Sequence, residues 1–252
     1  MLGKMRPCLK EMANFLFSRF KTESASLPHI RGKFNDAVKN HVGVAVMERR
    51  QGDYASASLM CEMMPELAKN GVTALYVSFL PSTVQPLLDK WFNDDDETPI
   101  VDFIDGLYYG HSKRQWQFYW KVMEAAKAAN IRVVGLEKYD IRTHYGAVFD
   151  APFKTMYWES HIERARERNN DKGRFIVYGH EMNALDMGGA LKGIHQRLDI
   201  PRMIIKTGTP ALAKLILDQH PSYVVSLPAH PQQDIICVGP YIRNMPLKYS
   251  GL

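Results

Sequence analysis

Short apolar runs rich in β-branched residues alternate along the chain with longer amphipathic stretches. The runs cover residues 42–47, 73–78, 131–136, 174–179 and 202–206. Each is a strand's length, and none shows the strict in–out alternation of a sheet with one wet face. Between and after them, apolar residues recur at helical spacing over 54–69, 83–92, 113–129, 154–168, 188–198 and 210–219. Strand and helix repeated in this order predict an α/β fold, a mostly parallel central sheet flanked by helices on both faces. Two later runs, 223–227 and 234–238, are separated by Pro228 and Pro231 and read as a final strand pair, with antiparallel pairing open to them.

Local punctuation supports these boundaries. Asn70-Gly71 and Ala129-Asn130 stand between a helix and the next strand, where a left-handed cap residue belongs. Thr209-Pro210 has the form of a helix start. The acidic stretch 94–99 reads as a solvated loop. No repeat or low-complexity linker divides the chain, so residues 41–252 are read as a single α/β domain. Residues 1–40 are read as an N-terminal helical segment.

Composition narrows the class. In 252 residues, 46% hydrophobic and 23% charged is the balance of a globular protein large enough for a buried core. The net charge of +5 is mild. The densest basic stretch, Arg164 to Arg174, is interleaved with Glu163, Glu167 and Asp171, which suits a solvated helix face. Nucleic-acid binding therefore lacks its usual footprint. No apolar run approaches the roughly 20 residues needed to cross a bilayer, and membrane association is not expected. Near the N-terminus, Glu11, Asn14, Ser18 and Arg19 interrupt the apolar stretch 12–20, so no secretory signal peptide is read there. Cys8, Cys61 and Cys237 are odd in number and widely spaced, which points to a reducing compartment and against a disulfide framework or zinc site. The expectation is a soluble protein, cytoplasmic or delivered into a host cell.

Candidate chemistry gathers where the strands end. Glu48 and Arg50 follow the first run, Ser78 ends the second, Glu137, Tyr139 and Asp140 follow the third, and His180 and Glu181 follow the fourth. In a parallel sheet these groups emerge on one rim, where open α/β sheets bind their ligands. Glu48, Glu137 and His180 are the candidate catalytic residues, since carboxylates and an imidazole can do acid–base work or hold a metal. Arg50, Ser78, Tyr139, Asp140, Glu181 and His111 are candidate binding residues. For each residue alone the competing reading is an ordinary polar loop. Trp116, Phe118, Tyr119 and Trp120, which follow His111, are read as packing. No P-loop, G-x-S-x-G or G-x-G-x-x-G pattern occurs, so nucleotide binding and serine hydrolase chemistry lack their marks.

Three stretches carry a resemblance: Met64-Pro-Glu-Leu-Ala-Lys-Asn-Gly-Val-Thr-Ala-Leu-Tyr76, Ala125-Ala-Lys-Ala-Ala-Asn-Ile-Arg-Val133 and Gly193-Ile-His-Gln-Arg-Leu-Asp-Ile-Pro201. With the order of elements over 42–205, they resemble the erythromycin esterase / ChaN / TIKI-like superfamily. The likeness is greatest to the second C-terminal domain of Pasteurella-multocida-toxin-type toxins and effectors. The resemblance implies esterase- or protease-like chemistry in some members and haem binding in others. The family's G-E-x-H motif reads Met47-Glu48-Arg49-Arg50 here, keeping the glutamate and replacing the histidine. Ser78-Phe79 stands where toxin-like members carry Glu-His. Glu137 matches the acidic residue of the third strand, and the second G-x-x-H reads Gly179-His180-Glu181-Met182, its histidine two positions early. An arginine can neither ligate a metal nor accept a proton at neutral pH.

Two functions follow as expectations. The one the replaced histidines favour is a non-catalytic or activity-lost module of a bacterial toxin or effector, binding a host protein or other domains of a larger toxin. The other is a hydrolase, esterase- or protease-like, using a rearranged Glu/His site. A divalent metal is its candidate cofactor. Haem is not expected, because no well-marked axial-ligand pair occurs.

Overall fold

The structure, a computed structural model, describes residues 21–24, 27–48, 54–106, 113–138, 147–180, 192–207, 223–227 and 234–239. In chain order the strands are β1 (Lys21–Ser24), β2 (Gly43–Glu48), β3 (Val72–Pro81), β4 (Arg132–Glu137), β5 (Arg174–His180), β6 (Arg202–Thr207), β7 (Tyr223–Leu227) and β8 (Asp234–Gly239). The helices are α1 (Leu27–Asn40), α2 (Tyr54–Lys69), α3 (Gln85–Asp94), α4 (Thr98–Gly106), α5 (Lys113–Ala128), α6 (Ala147–Arg168) and α7 (Ile194–Arg197). A 3-10 turn, Ser82–Val84, joins β3 to α3.

The strands form one sheet in the order β1-β7-β8-β6-β2-β5-β3-β4. From β8 to β4 every pairing is parallel, while β7 runs antiparallel to both β8 and β1. The α/β architecture with helices on both faces is thus observed, and the final strand pair is antiparallel. Parallel pairing explains the unbroken apolar runs: β2 is buried along its whole length because helices cover both of its sides.

Alternate residues supply two cores. Val44, Val46, Leu75, Val77, Ile176 and Tyr178 face one side, where α1 to α5 deliver Phe34, Met60, Met63, Leu67, Leu88, Ile100, Val122 and Met123. Ala45, Met47, Tyr76, Val134, Phe175 and Val177 face the other, beneath Trp158 and Ile162 of α6 and Ile194 of α7. Connections that step towards β4 pass over the first face, and those that step back pass over the second. Reversing direction and face together keeps every crossover of one hand.

Gly71 and Asn130 have φ of +82° and +58°, the left-handed caps expected at both helix ends. Several boundaries differ from the sequence reading. Lys21–Ser24, placed in a helical segment by the sequence, is a strand paired with β7. It has no apolar period to bury, so edge pairing is what satisfies its backbone. Residues 95–97 are loop, but Thr98 and Pro99 belong to α4, whose Thr98 N–H is met by Asp96 Oδ1 at 3.3 Å. Pro99 suits a first turn, where its missing N–H costs nothing. Of the expected helix 188–198, residues 192–193 are not helical, Gly193 being extended, and helix begins at Ile194. The expected helix 210–219 lies outside the described residues.

The free edge of β4 is covered by side chains. Gln85 Nε2 donates to the Val133 carbonyl at 3.1 Å and Gln85 Oε1 accepts from Gly135 N–H at 3.2 Å. Asp89 holds both Gln85 and Arg132. A glutamine amide thereby stands in for the missing next strand. From α6, His161 bonds to the backbone of Gly135 and stacks on Tyr157, ring centres 5.7 Å apart. Its Nε2 is buried with no hydrogen-bond partner among the described residues. Burial pushes the imidazole below its ordinary value, and Arg164 and Arg168 add to the effect.

A histidine depressed in the native state takes its proton more readily when unfolded. His161 therefore contributes stability that is present above the unfolded value of about 6.5 and lost as pH falls below it. The urea midpoint of the native protein is expected to drop between about pH 7 and about pH 5 more steeply than that of His161→Gln. Parallel profiles would remove His161 as the cause.

Candidate functional site

Glu48 is the last residue of β2 and only 2% exposed. It follows the parity of Val44 and Val46, so its carboxylate enters the core under α5 instead of the solvent. A carboxylate there needs donors. Tyr119 of α5 donates its hydroxyl to Glu48 Oε1, and Tyr178 of β5 donates to Oε2 at 3.0 Å. Both phenols are fixed by rings. Phe79 lies flat on Tyr119, centroids 3.9 Å apart and planes 6° apart, and meets Tyr178 edge-on at 6.2 Å. Trp116, one helical turn before Tyr119, packs edge-on against both Phe79 and Tyr119. Helix α5 thus docks its aromatic face over the end of the sheet, and its second-turn phenol reaches the strand-end acid.

His180 ends β5 and is the direct register partner of Glu48. It shares the parity of Ile176 and Tyr178, which puts the two residues on the same face of strands about 4.8 Å apart. The connection leaving β2 enters α2 on the first face, while the one leaving β5 returns through α7 on the second. Neighbouring parallel strands whose connections leave on opposite faces, as those of β5 and β3 also do, leave room between their C-terminal ends, the rim at which open α/β sheets bind ligands.

The remaining predicted residues divide. Ser78 follows the opposite parity. A Cβ added to Gly179 would stand 2.7 Å from Ser78 Oγ and 3.7 Å from the Trp158 ring, so Ser78 lies on the α6 side. Glu137 ends β4, three strand spacings or about 14 Å from β2, and is ion-paired with Lys154 of α6 at 2.8 Å. The structure therefore brings Glu48 and His180 together and leaves Ser78 and Glu137 elsewhere on the rim. Arg50, His111, Tyr139, Asp140 and Glu181 lie outside the described residues. Tyr119 and Tyr178 were not among the residues singled out. Their signal was available: a glutamate continuing the parity of Val44 and Val46 is buried, and a buried acid requires donors.

Among the described residues, no group of three or more His, Cys, Asp or Glu is arranged to hold a metal ion. Cys61, on α2, packs against the core, and burial pushes its thiol up to about 11, so it supplies no thiolate at neutral pH. No described helix is long and apolar enough to cross a membrane.

No protein-family model matches the sequence, and no curated protein matches it. Solved structures do. The chain is similar to the type III effector HopBA1, with TM-score 0.60, 14% identity, and coverage of 83% of this chain and 93% of that one. It is similar to RRSP, a MARTX toxin effector domain from Vibrio vulnificus, with TM-score 0.50, 18% identity and 70% of this chain covered. It is also similar to the C-terminal region of Pasteurella multocida toxin, in which a thiol-protease-like catalytic triad is found, with TM-score 0.52, 19% identity and 72% covered. The matched region spans 35% and 25% of those two larger chains. The chain has the fold of bacterial toxin and effector domains. At these identities the likeness extends to the fold alone.

Proposed function

We propose that the chain is a bacterial toxin or effector module, delivered into a host cell, that carries out acid–base hydrolysis in the crevice between β2 and β5. The observation that carries this reading is the pairing of Glu48 with His180 at the C-terminal ends of β2 and β5. His180, half-buried at the rim, is the proton-carrying group that meets substrate and water. Glu48, buried and gripped by two phenols, is the fixed anion beside it. In the hydrolytic step His180 accepts a proton from water as the hydroxide oxygen bonds to an acyl carbon. The proton then passes to the leaving group as its bond breaks. Cys61, packed and with its thiol pushed up to about 11 by burial, is not the nucleophile of this reading.

The second reading is a module that binds a host or neighbouring protein without catalysis. It is favoured by Glu137, the second candidate acid of the rim, which is held by Lys154 instead of joining Glu48 and His180. Purified protein screened against ester and peptide libraries, in parallel with expression in host cells, separates the two. The hydrolase reading expects turnover that His180→Ala and Glu48→Gln each lower by about 10²–10⁴-fold, with the host-cell effect lost in step. A host-cell effect that survives both substitutions, with no turnover in the parent protein, would leave binding as the function.

A further inference from the structure

Glu48 is a buried carboxylate gripped by two phenols. Its two oxygens each receive a phenol, from elements far apart in sequence: Tyr119 on α5 and Tyr178 on β5. Each phenol is in turn held in place by packing. Phe79 stacks on one and abuts the other, so a single β3 side chain sets the angle between them. Trp116 closes the cluster from the side, edge-on to Phe79 at 6.1 Å and to Tyr119 at 5.9 Å. Tyr119 and Tyr178 are 1% and 0% exposed. Core packing alone would be served as well by phenylalanine, which has the same ring and no polar atom to bury. Two hydroxyls placed on the two oxygens of one acid do something packing does not. They favour the ionised form and fix the plane of the carboxylate.

We infer that Tyr119 and Tyr178 are positioning residues that keep Glu48 ionised and oriented towards the β2–β5 crevice. Phe79 is the wedge that sets both. The inference rests on the reading of that crevice as the working site. It also makes α5 part of the site: displacing α5 would withdraw Tyr119 and Trp116 together.

The experiment uses the full chain with carbon-13 in its glutamate carboxyls. Glu48 is assigned by its loss in Glu48→Gln, and its resonance is followed against pH in the parent, Tyr119→Phe, Tyr178→Phe and the double variant. Urea unfolding and the host-cell effect are measured on the same proteins. Each lost phenol is expected to raise the Glu48 titration midpoint by about one pH unit, with a larger rise in the double variant. The folded state is expected to persist, because the ring volumes are unchanged. The host-cell effect is expected to fall in the double variant as it does in Glu48→Gln. A merely structural role would lower the urea midpoint and leave the Glu48 titration where it was, and that result would overturn the inference. A raised titration alongside a host-cell effect that Glu48→Gln does not touch would uphold the positioning role and reject the crevice as the working site.

Discussion

Gly135→Ala is expected to destabilise the protein by about 3 kcal/mol, whereas Gly32→Ala is expected to stabilise it by up to about 1 kcal/mol. The two glycines differ in what a methyl group would meet. At Gly135 an added Cβ would stand 2.4 Å from the Pro81 carbonyl oxygen, 2.9 Å from its carbon and 3.1 Å from the Leu80 oxygen. All three are backbone atoms, so no side-chain rotation can make room. The close approach arises because β3 shifts register between Val77 and Pro81, folding its last residues across β4 where they pair with Glu137. A methyl group forces that end of β3 away. The same residue anchors Gln85 and His161, so the edge cover of β4 loosens with it. Gly32 lies within α1 with nothing inside 4 Å of its added Cβ, and there alanine only limits the freedom of the unfolded chain. Urea unfolding of both variants beside the parent checks the pair. A Gly135→Ala protein of parental stability would mean that β3 does not cross β4 so closely.

The contrast shows how far the sequence could be read. The apolar runs place β2, β4, β5 and β6 to within a residue or so, because strands buried on both faces leave continuous hydrophobic signatures. Helix α2 is located at both ends by its period and by Asn70-Gly71. The sequence could not place Gly135 as a crossing point, since nothing local distinguishes a glycine that admits a neighbouring backbone from one that relaxes a strand. Nor could it supply strand order. Listing polar residues after each run put Glu48, Ser78, Glu137 and His180 on one rim, but β5 inserts between β2 and β3. That insertion makes His180 the neighbour of Glu48 and leaves Glu137 with Lys154. Parity, which was legible, separates Ser78 from the pair. The aromatic stretch before and within α5 was correctly read as packing for Trp116, and the same reading hid the hydroxyl of Tyr119.

Glu48→Ala is expected to cost about 3 kcal/mol or more, while Glu48→Leu combined with Tyr119→Phe and Tyr178→Phe is expected to recover most of that loss. Removing the acid alone leaves two buried hydroxyls without their acceptor, and each such orphan costs about 1–3 kcal/mol. A cavity adds to the loss. Removing all three polar groups leaves a leucine among Phe79, Trp116 and two phenylalanines, so neither phenol hydroxyl is stranded by the loss of the acid. Urea unfolding of the single and triple variants, with the two tyrosine variants completing the cycle, measures the coupling. If the triple variant is no more stable than Glu48→Ala, the cluster is an indispensable part of the fold, and no functional reason for its polarity is needed. If it recovers or exceeds the parent, the fold can do without this acid. A buried, hydrogen-bonded carboxylate beside a strand-end histidine is then a feature the protein keeps at the expense of stability, as working sites are kept.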